Sequence, residues 1–277
     1  MDESNLQEFK SEAWKSHDMA AKYADNVNRG SGWANYNHSA YLNRILKNIK
    51  MSDKILDVGA GTGALSIPLS ELGYSVDALD ISTEMMSYIS SAAPNVKLIE
   101  ADLSELKDLE KKYDVVISRW VLPHFSNYAK ILSEINKVLK PDGKIIFDMP
   151  NGSQFNLVSN SNAYKKLDKK LFGYDHHAEA SNDYFYSCAT SDDLKDVALS
   201  LNMTMSKRYF FSFFSTNLLL AILLGNRNYG RLKRLLEKIF RSGGILIWLF
   251  KKVDSLLSFV SPKILFHSTI VIFERKH

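Results

Sequence analysis

The sequence predicts an α/β fold built on a mostly parallel sheet with helices on both faces. Short apolar segments typical of strands alternate with longer amphipathic segments between Lys54 and Pro150. Strands and helices that alternate in this way form right-handed β–α–β units. A glycine-rich turn in ILDVGAGTG (55–63) directly follows the first apolar segment. Because ligands of open α/β sheets bind at the carboxyl ends of the strands, this turn predicts where the functional site lies.

The core of this fold contains five predicted strands, at 54–58, 74–80, 96–102, 113–120 and 143–150. The helices between them are predicted over 62–73, 82–93 and 128–140. Ser82 is the expected N-cap of the second helix, and Pro141 is expected to end the third.

The alternation of strands and helices resumes near residue 188. A helix is predicted over 190–202 with Ser191 as its N-cap, followed by strands over 203–211 and 267–276. The chain therefore divides into six segments: an N-terminal helical lid at 1–40, the ligand-binding core at 41–150, an insertion over the site at 151–187, a core helix and strand at 188–211, a basic amphipathic helical insertion at 212–266, and a final core strand at 267–277.

The charge of the chain is unevenly distributed. The net charge is +4, but residues 203–277 hold 13 Lys and Arg against three acidic residues, which leaves 22 basic against 28 acidic residues elsewhere. Such an imbalance can mark an anionic partner.

Cys188 is the only cysteine, which excludes an internal disulfide and fits a reducing cytoplasm. The acidic, polar N-terminus is typical of neither a signal peptide nor a transit peptide.

Three acidic residues lie at or just beyond the ends of three successive strands: Asp57, Asp80 and Asp102. A carboxylate on the strand beside a glycine turn suits the two hydroxyls of a ribose, and an acid one strand further out suits the exocyclic amine of an adenine. The turn reads G-x-G-x-G, whereas the dinucleotide fingerprint is G-x-G-x-x-G, whose third glycine lets a helix pack close to a pyrophosphate. The pattern therefore favours a nucleoside ligand without a pyrophosphate.

Five segments in order resemble the successive motifs of the class I S-adenosylmethionine-dependent methyltransferases, most closely the small-molecule (methyltransferase type 11/25-like) branch. They are ILDVGAGTG, VDALDIS, EADLSEL, YDVVISRWVLPHF and LKPDGKIIFDMPN. The resemblance covers residues 40–150 strongly and the closing strands weakly. It implies S-adenosylmethionine as the cofactor, and a Rossmann-like, seven-stranded, mostly parallel sheet whose last strand is antiparallel and whose helical insertions form a cap.

The resemblance also implies which residues hold the cofactor. Asp80 matches the acid that binds the ribose hydroxyls, Asp102 the residue that reads the adenine amine, and Tyr23 a lid tyrosine. The full set is Tyr23, Asp57, Gly59, Ala60, Gly61, Gly63, Asp80, Ile81, Met85, Ala101, Asp102, Leu103, Ser118 and Arg119. Asp57 has an alternative interpretation as a turn or capping acid, Asp102 as an N-cap, and Tyr23 as a core residue.

The acceptor side of the site is less sharply defined. His124, after the fourth strand, is the candidate general base for an acceptor that must lose a proton, with a loop-stabilising role as its alternative. Substrate contacts are predicted for Trp33, Tyr36, His38, Asn151, Tyr174 and His176. Ordinary packing of the first helix is the alternative for the first three of these, and a surface position is the alternative for His176. No spacing of histidines and acids matches a metal site.

The predicted reaction is in-line transfer of a methyl group to a small-molecule, glycan or sugar acceptor, with alignment and desolvation as the main sources of rate. SRWV (118–121) stands where methyltransferases of nucleic acids and glutamine carry an Asn/Asp-Pro-Pro-Tyr motif, which argues against those substrates. Three alternative hypotheses stay open: a lipid-linked or membrane-associated acceptor, a nicotinamide-dependent oxidoreductase, and a non-catalytic cofactor-binding partner.

The insertion at 212–266 contains two basic amphipathic segments, RLKRLLEKIFR (231–241) and ILIWLFKKVDSLLSFV (245–260). They can cap the sheet or form a homodimer, lie on an anionic membrane, or steer an anionic acceptor such as a sugar phosphate. The apolar segment at 209–225 is interrupted by Ser and Asn and falls short of a membrane span. The expected location is the cytoplasm, with peripheral membrane contact as one form of it.

Overall fold

The computed structural model describes residues 15, 20–21, 32–103, 106, 109, 112–153, 187–211, 218–241, 245–263, 266 and 268–275. Most of the predicted lid at 1–40 and of the predicted insertion at 151–187 therefore lies outside the described residues.

The helices and strands alternate along the core as expected. The helices are α1 (Gly32–Leu46), α2 (Ser66–Glu71), α3 (Thr83–Ala92), α4 (Tyr128–Lys137), α5 (Ser191–Ser200), α6 (Leu218–Arg241) and α7 (Ile245–Val260), with a 3₁₀ turn at Leu122–His124. The strands are β1 (Lys54–Val58), β2 (Ser75–Asp80), β3 (Lys97–Glu100), β4 (Tyr113–Ser118), β5 (Leu139–Pro150), β6 (Met203–Phe211) and β7 (Ser268–Arg275).

The seven strands form one sheet in the order β3-β2-β1-β4-β5-β7-β6. Strands β1 to β5 pair in parallel. The last strand of the chain, β7, lies between β5 and β6 and runs antiparallel to both. This topology confirms the Rossmann-like fold, including the antiparallel final strand.

Helices cover both faces of the sheet. Ile55 and Ile117 lie in the hydrophobic cluster that α1 and α2 share with one face, whereas Leu56 and Val116 lie in the cluster that α4 and α5 share with the other. Consecutive strand residues point to opposite faces, so a central strand buried on both sides is apolar throughout. Polar groups consequently gather at the carboxyl-end edge of the sheet.

Two of the predicted N-caps can be compared with the structure. The Met85 N–H donates to Ser82 Oγ at 3.2 Å, which confirms Ser82 as the cap of α3. The prediction of Ser191 for α5 is wrong by one residue. Thr190 is the cap, because Asp193 lies three residues beyond it and the two residues form a reciprocal capping box.

The prediction that Pro141 ends a helix is also wrong. Helix α4 ends at Lys137, and β5 already begins at Leu139, which pairs with Tyr113. The pairing then shifts register and resumes at Lys144 opposite Val115. Pro141 lies in the irregular section between the two paired segments, where the missing N–H of a proline breaks no ladder hydrogen bond.

Candidate active site

The glycine turn begins at the end of β1. Gly59, Gly61 and Gly63 all have positive φ, at 68°, 53° and 87°, which other residues rarely adopt. The N–H groups of Gly59 and Ala60 both donate to the Leu79 carbonyl, at 2.8 and 3.0 Å, and so tie the turn to β2. The turn thus lies against the carboxyl ends of the two strands, as the sequence predicts.

The first two of these glycines have different surroundings. A Cβ on Gly59 would lie 2.2 Å from Val121 Cγ2, because the loop after β4 passes directly against it. A Cβ on Gly61 would meet only Met85 Sδ, at an ordinary contact distance of 3.7 Å. Gly59 is therefore enclosed by protein, whereas the space next to Gly61 is open.

Asp80, at the end of β2, connects that strand to the turn. Its Oδ2 accepts a hydrogen bond from the Gly61 N–H at 2.8 Å, and its Oδ1 accepts one from the Ser82 N–H at 3.0 Å. Burial raises the pKa of this carboxyl, and the backbone donors work in the opposite direction. Each carboxylate oxygen has accepted one hydrogen, so each keeps acceptor capacity for a ligand hydroxyl.

Asp57 lies behind the turn. Its carboxyl is buried and accepts a 2.6 Å hydrogen bond from Ser66 Oγ, at the start of α2. Burial raises the pKa of Asp57 to about 7, and the nearby charge of Asp80 adds to this increase. Asp57 therefore joins β1 to α2 through a side-chain hydrogen bond, whereas the N-cap position of α2 is Leu65.

Two buried hydroxyls next to the turn make no hydrogen bond to any described residue: those of Thr62, within the turn, and Ser118, at the end of β4. Buried polar groups are nearly always paired, so an unpaired hydroxyl calls for a ligand or water. Ser118 belongs to the predicted set, whereas Thr62 was missed. Its place between two glycines of the turn is the signal that could have indicated it.

Arg119 follows β4 and connects it to α1. Its Nη1 donates to His38 Nδ1 at 2.9 Å, and its guanidinium lies over the rings of Tyr41 and Trp120, at 6.0 and 5.7 Å from their centroids. Burial and the Arg119 charge lower the pKa of His38 to about 4, so the imidazole is a neutral acceptor at physiological pH. Tyr41 donates in turn to the Ser118 carbonyl at 2.5 Å.

Asp148, on β5, is a site residue that the sequence analysis missed. It accepts a 2.7 Å hydrogen bond from the backbone N–H of Trp120, whose φ of 59° is unusual for a non-glycine residue. Burial raises the pKa of Asp148 to about 7, against the lowering effects of the Trp120 N–H and the Arg119 charge. The signal was a single acid inside the apolar run IIFDMP (145–150).

The outer positions of the predicted cofactor set line β2 and β3 at the same edge. The Ala101 N–H donates to the Asp80 carbonyl at 3.2 Å, which brings the residues after β3 next to β2. Asp102 and Ile81 are half-buried, Met85 is buried at the start of α3, and Leu103 belongs to the hydrophobic core. Tyr23 lies outside the described residues.

The residues predicted to contact the acceptor lie on different elements of the structure. His124 lies in the 3₁₀ turn after β4, where its N–H donates to the Val121 carbonyl at 2.9 Å. Asn151 is buried, and its amide donates to the carbonyls of Lys263 and Phe266, both at 2.9 Å, thereby connecting the end of β5 to the chain before β7.

Tyr36 and His38, both on α1, have different environments. The Tyr36 ring stacks on Phe240 of α6 at a centroid distance of 5.0 Å, and its hydroxyl lies next to buried Asp254 of α7. Burial is the main cause that raises the pKa of Tyr36. His38 contacts Arg119 and so belongs to the site. The side chain of Trp33 and the residues Tyr174 and His176 lie outside the described part of the chain.

The edge of the sheet therefore brings together an open glycine turn, an acid with spare acceptor capacity and two buried hydroxyls. These features fit the ribose and amino-acid parts of S-adenosylmethionine. Over the part of the chain that the structure describes, no group of three or more His, Cys, Asp and Glu side chains could hold a metal ion.

Parts of the chain are similar to known methyltransferases. A family model described as a methyltransferase domain matches residues 56–147. Malonyl-[acyl-carrier protein] O-methyltransferase of Buchnera aphidicola is 27% identical over 68% of this chain and 78% of its own length. Ubiquinone biosynthesis O-methyltransferase of Rickettsia akari is 33% identical over 41% of this chain, and the match spans 45% of that protein.

Solved structures share the fold. Magnesium protoporphyrin IX methyltransferase from Synechocystis, crystallised with bound SAH, superposes with a TM-score of 0.51 at 15% identity, covering 87% of this chain and 82% of that one. The chain carries a methyltransferase domain and is an S-adenosylmethionine-dependent methyltransferase.

Proposed function

We propose that this enzyme transfers the methyl group of S-adenosylmethionine to the nucleophile of a small-molecule, glycan or sugar acceptor held at the carboxyl ends of β1, β4 and β5. The observation that carries the proposal is the pairing of Gly61, which has open space next to it, with Asp80, which has acceptor capacity left. The cofactor supplies a methyl carbon on a positively charged sulfonium, which is a good leaving group.

Asp80 binds the ribose in this proposal. A carboxylate can accept about four hydrogen bonds. The Gly61 and Ser82 N–H groups take two of these, and the Ile81 N–H also interacts with the carboxyl. The acceptor capacity that remains suits a ribose hydroxyl. The backbone donors also fix the orientation of the carboxylate before the ligand arrives, so little side-chain entropy is lost on binding.

The turn and the residues beside it bind the two ends of the cofactor. Gly61 and the buried hydroxyls of Thr62 and Ser118 would hold its methionine part. Asp102 and Ile81, on the β3 side, would hold its adenine, with Asp102 as acceptor for the amine and Ile81 as an apolar contact for the ring. The remaining predicted cofactor residues complete this surface, with Tyr23 as the lid.

The residues at the carboxyl ends of β4 and β5 set the net charge next to the bound cofactor. Arg119 places a positive charge there, which by itself disfavours a cationic ligand. The carboxyls of Asp57 and Asp148 interact with that charge and offset it where they are ionised, which at a pKa of about 7 means increasingly above neutral pH. Asp148 also holds the Trp120 backbone, so the half-exposed Trp120 ring is a further candidate for acceptor contact.

Orientation of the reactants and exclusion of water supply most of the rate of methyl transfer. His124 accepts the proton of an acceptor that must lose one.

A lipid-linked or membrane-associated acceptor is the second candidate. It is favoured by the outward face of α7, where large apolar side chains are exposed next to basic residues. One relative is named for ubiquinone biosynthesis and another, from Renibacterium salmoninarum, for demethylmenaquinone. The basic insertion also suits an anionic acceptor, because positive potential raises the local concentration of anions.

Methyl-labelled S-adenosylmethionine identifies the acceptor most directly. The enzyme is incubated with cell extract and labelled cofactor, and the aqueous small-molecule, lipid, protein and nucleic-acid fractions are analysed by mass spectrometry. We expect label in an aqueous small molecule, or in the lipid fraction for the second candidate. Asp80→Asn is the control, and we expect it to lower transfer at a cofactor concentration below saturation. Label only in protein or nucleic acid contradicts the proposal.

A further inference from the structure

The outward face of α7 is mainly apolar, with Lys252 and Ser255 as its exposed polar residues. Eight large side chains expose 42–85% of their surface, with Phe259 at 85% and Ile245 at 73%. They are Ile245, Leu246, Trp248, Leu249, Val253, Leu256, Phe259 and Val260, called here the apolar stripe. Single exposed apolar residues are common on proteins, but a continuous stripe marks an interaction surface.

The inward face of the same helix carries Asp254, Lys251 and Phe250. Asp254 is buried next to the Tyr36 hydroxyl, and Lys251 donates to Ser39 Oγ at 3.1 Å. Phe250 packs edge-on against Phe240 of α6 at 5.1 Å. These contacts fix the rotation of α7, so its apolar stripe faces outward in the folded protein. A helix that serves only to cap the core would have the opposite orientation.

The outward face of α6 is basic. Arg227, Arg231, Arg234, Lys238 and Arg241 follow one another at spacings of four and three residues and are exposed, which places them along one side of the helix. This row is called here the basic stripe. The opposite side of α6 carries Tyr229, Leu236 and Phe240, which are buried.

Acidic side chains contribute little to this surface. Among the described residues of α6 and α7, the acids are Glu237 and Asp254. Glu237 accepts from Arg241 at 3.1 Å, and Asp254 is buried. The exposed sides of these two packed helices therefore carry a basic stripe on α6 and an apolar stripe on α7.

We propose that α6 and α7 attach the enzyme to the surface of an anionic phospholipid bilayer, with the apolar stripe at the boundary between headgroups and acyl chains and the basic stripe on the lipid phosphates. Interfacial helices combine these two features. Lys252 fits this position, since its ammonium lies 5.5 Å from the Trp248 ring centroid and can extend to the headgroups while its stem stays in the apolar layer.

The geometry favours a helix that lies on the bilayer. The 16 residues of α7 span about 24 Å, less than the ~30 Å hydrocarbon core. Over the described part of the chain, no helix is long and apolar enough to cross a membrane. A second copy of the chain is a poorer occupant, because a two-fold contact on this face would bring two basic stripes together with no exposed acid to pair with them.

Contacts connect this surface to the active site. Helix α6 packs on α1 through Phe240 and Tyr36, and α1 carries His38, the partner of Arg119. Membrane attachment would therefore place the acceptor side of the site close to the bilayer. Vesicle binding itself does not depend on methyl transfer, so the two proposals can fail separately.

Co-sedimentation of the full chain with vesicles tests the proposal. We expect pelleting with vesicles of phosphatidylcholine mixed with phosphatidylglycerol, little pelleting with phosphatidylcholine alone, and weaker pelleting as salt rises. Leu256→Ser and Phe259→Ser should each lower the partition coefficient by about tenfold or more. Leu199→Ser is the matched control, because Leu199 is equally exposed but lies on α5.

The basic stripe is tested by replacing Arg231, Arg234 and Lys238 with Gln. We expect a loss of about fivefold for each charge removed. The control replaces Lys47, Lys97 and Lys130 with Gln, which removes three exposed charges elsewhere. Circular dichroism checks that each variant is folded. As an independent readout, vesicles should shift the tryptophan emission of the wild type but not that of Trp248→Phe.

Three results overturn the proposal: no pelleting with anionic vesicles, equal pelleting with neutral and anionic vesicles, or equal loss in the control variants. A concentration-dependent dimer in sedimentation velocity that Phe259→Ser converts to monomer, without vesicle binding, would assign the face to a second copy of the chain.

Discussion

The backbone N–H of Gly61 donates a 2.8 Å hydrogen bond to Asp80 Oδ2 and so joins the glycine turn to the end of the neighbouring strand. A ligand that binds the remaining acceptor sites of Asp80 must pass next to the Gly61 Cα. The two residues therefore act together: Asp80 accepts hydrogen bonds from the ligand, and Gly61, which has no side chain, leaves room for it.

Gly61→Ala should reduce cofactor binding far more than stability. The added methyl meets only Met85 Sδ, at 3.7 Å, but occupies the open space of the turn. The positive φ should lower the free energy of unfolding by about 1–2 kcal/mol. We expect the affinity for S-adenosylhomocysteine, measured by calorimetry, to fall by about tenfold or more, which corresponds to ~1.4 kcal/mol. An affinity within twofold of wild type would show that the ligand does not pass over Gly61.

Gly59→Ala should instead mainly destabilise the protein. Its Cβ would lie 2.2 Å from Val121 Cγ2, and its φ is also positive. Overpacking of this kind costs about 1–3 kcal/mol, to which the φ strain adds. Thermal unfolding measures the loss, and the double variant Gly59→Ala, Val121→Ala should recover part of it. No recovery would mean that steric contact with the β4 loop is not the cause.

Asp148→Asn should change how stability depends on pH. The folded protein raises the pKa of Asp148 to about 7, so between about pH 4 and pH 7 the folded state holds a proton that the unfolded chain has released. The contribution of this group to stability is therefore present at low pH and lost as pH rises through about 7. Asparagine keeps an oxygen to accept the Trp120 N–H and cannot ionise.

We expect Asp148→Asn to gain stability relative to wild type as pH rises from about 5 to 8, by on the order of 1–4 kcal/mol. Denaturant unfolding at both pH values measures the difference. The control is Asp114→Asn, because Asp114 lies at the other end of β4 in an ion pair with Lys140. A constant difference between Asp148→Asn and wild type at the two pH values would contradict the assignment.

His124→Asn separates catalysis from structure. If His124 is the general base, kcat for the identified acceptor should fall by about 10²- to 10⁴-fold, with the S-adenosylhomocysteine affinity and the melting temperature unchanged. Rates and thermal unfolding are measured on the same preparation. A lower melting temperature with a kcat within a few fold of wild type would favour the loop-stabilising alternative.

The sequence alone predicted the sheet and the position of the glycine turn beside Asp80 well, because both depend on local signals. Asp80 could be identified since an acid at a strand end next to a glycine turn is visible in a short stretch of residues. The antiparallel last strand came from the resemblance to a family. Within the fold, Thr190 displaced Ser191 as an N-cap because its pairing with Asp193 adds a reciprocal hydrogen bond.

The acceptor side depends on contacts between residues that are distant in the chain. Asp148 was missed because its partner, the Trp120 N–H, is visible only once β4 and β5 are paired. Tyr36 lies on α1 within a predicted pocket segment, yet its ring stacks on Phe240 of α6. The apolar stripe could not be distinguished from a core-facing side, because periodicity defines a face but not its direction.

Calorimetric titration with S-adenosylhomocysteine and with NADH tests the central claim most directly, on the wild type, Asp80→Asn and the control Asp114→Asn. We expect the wild type and the control to bind one S-adenosylhomocysteine per chain and no NADH. Asp80→Asn should bind S-adenosylhomocysteine about 10- to 100-fold more weakly, since it loses charge-assisted hydrogen bonds worth ~1.5–3 kcal/mol. Tight NADH binding without S-adenosylhomocysteine binding, or an unchanged affinity in Asp80→Asn, would contradict the account.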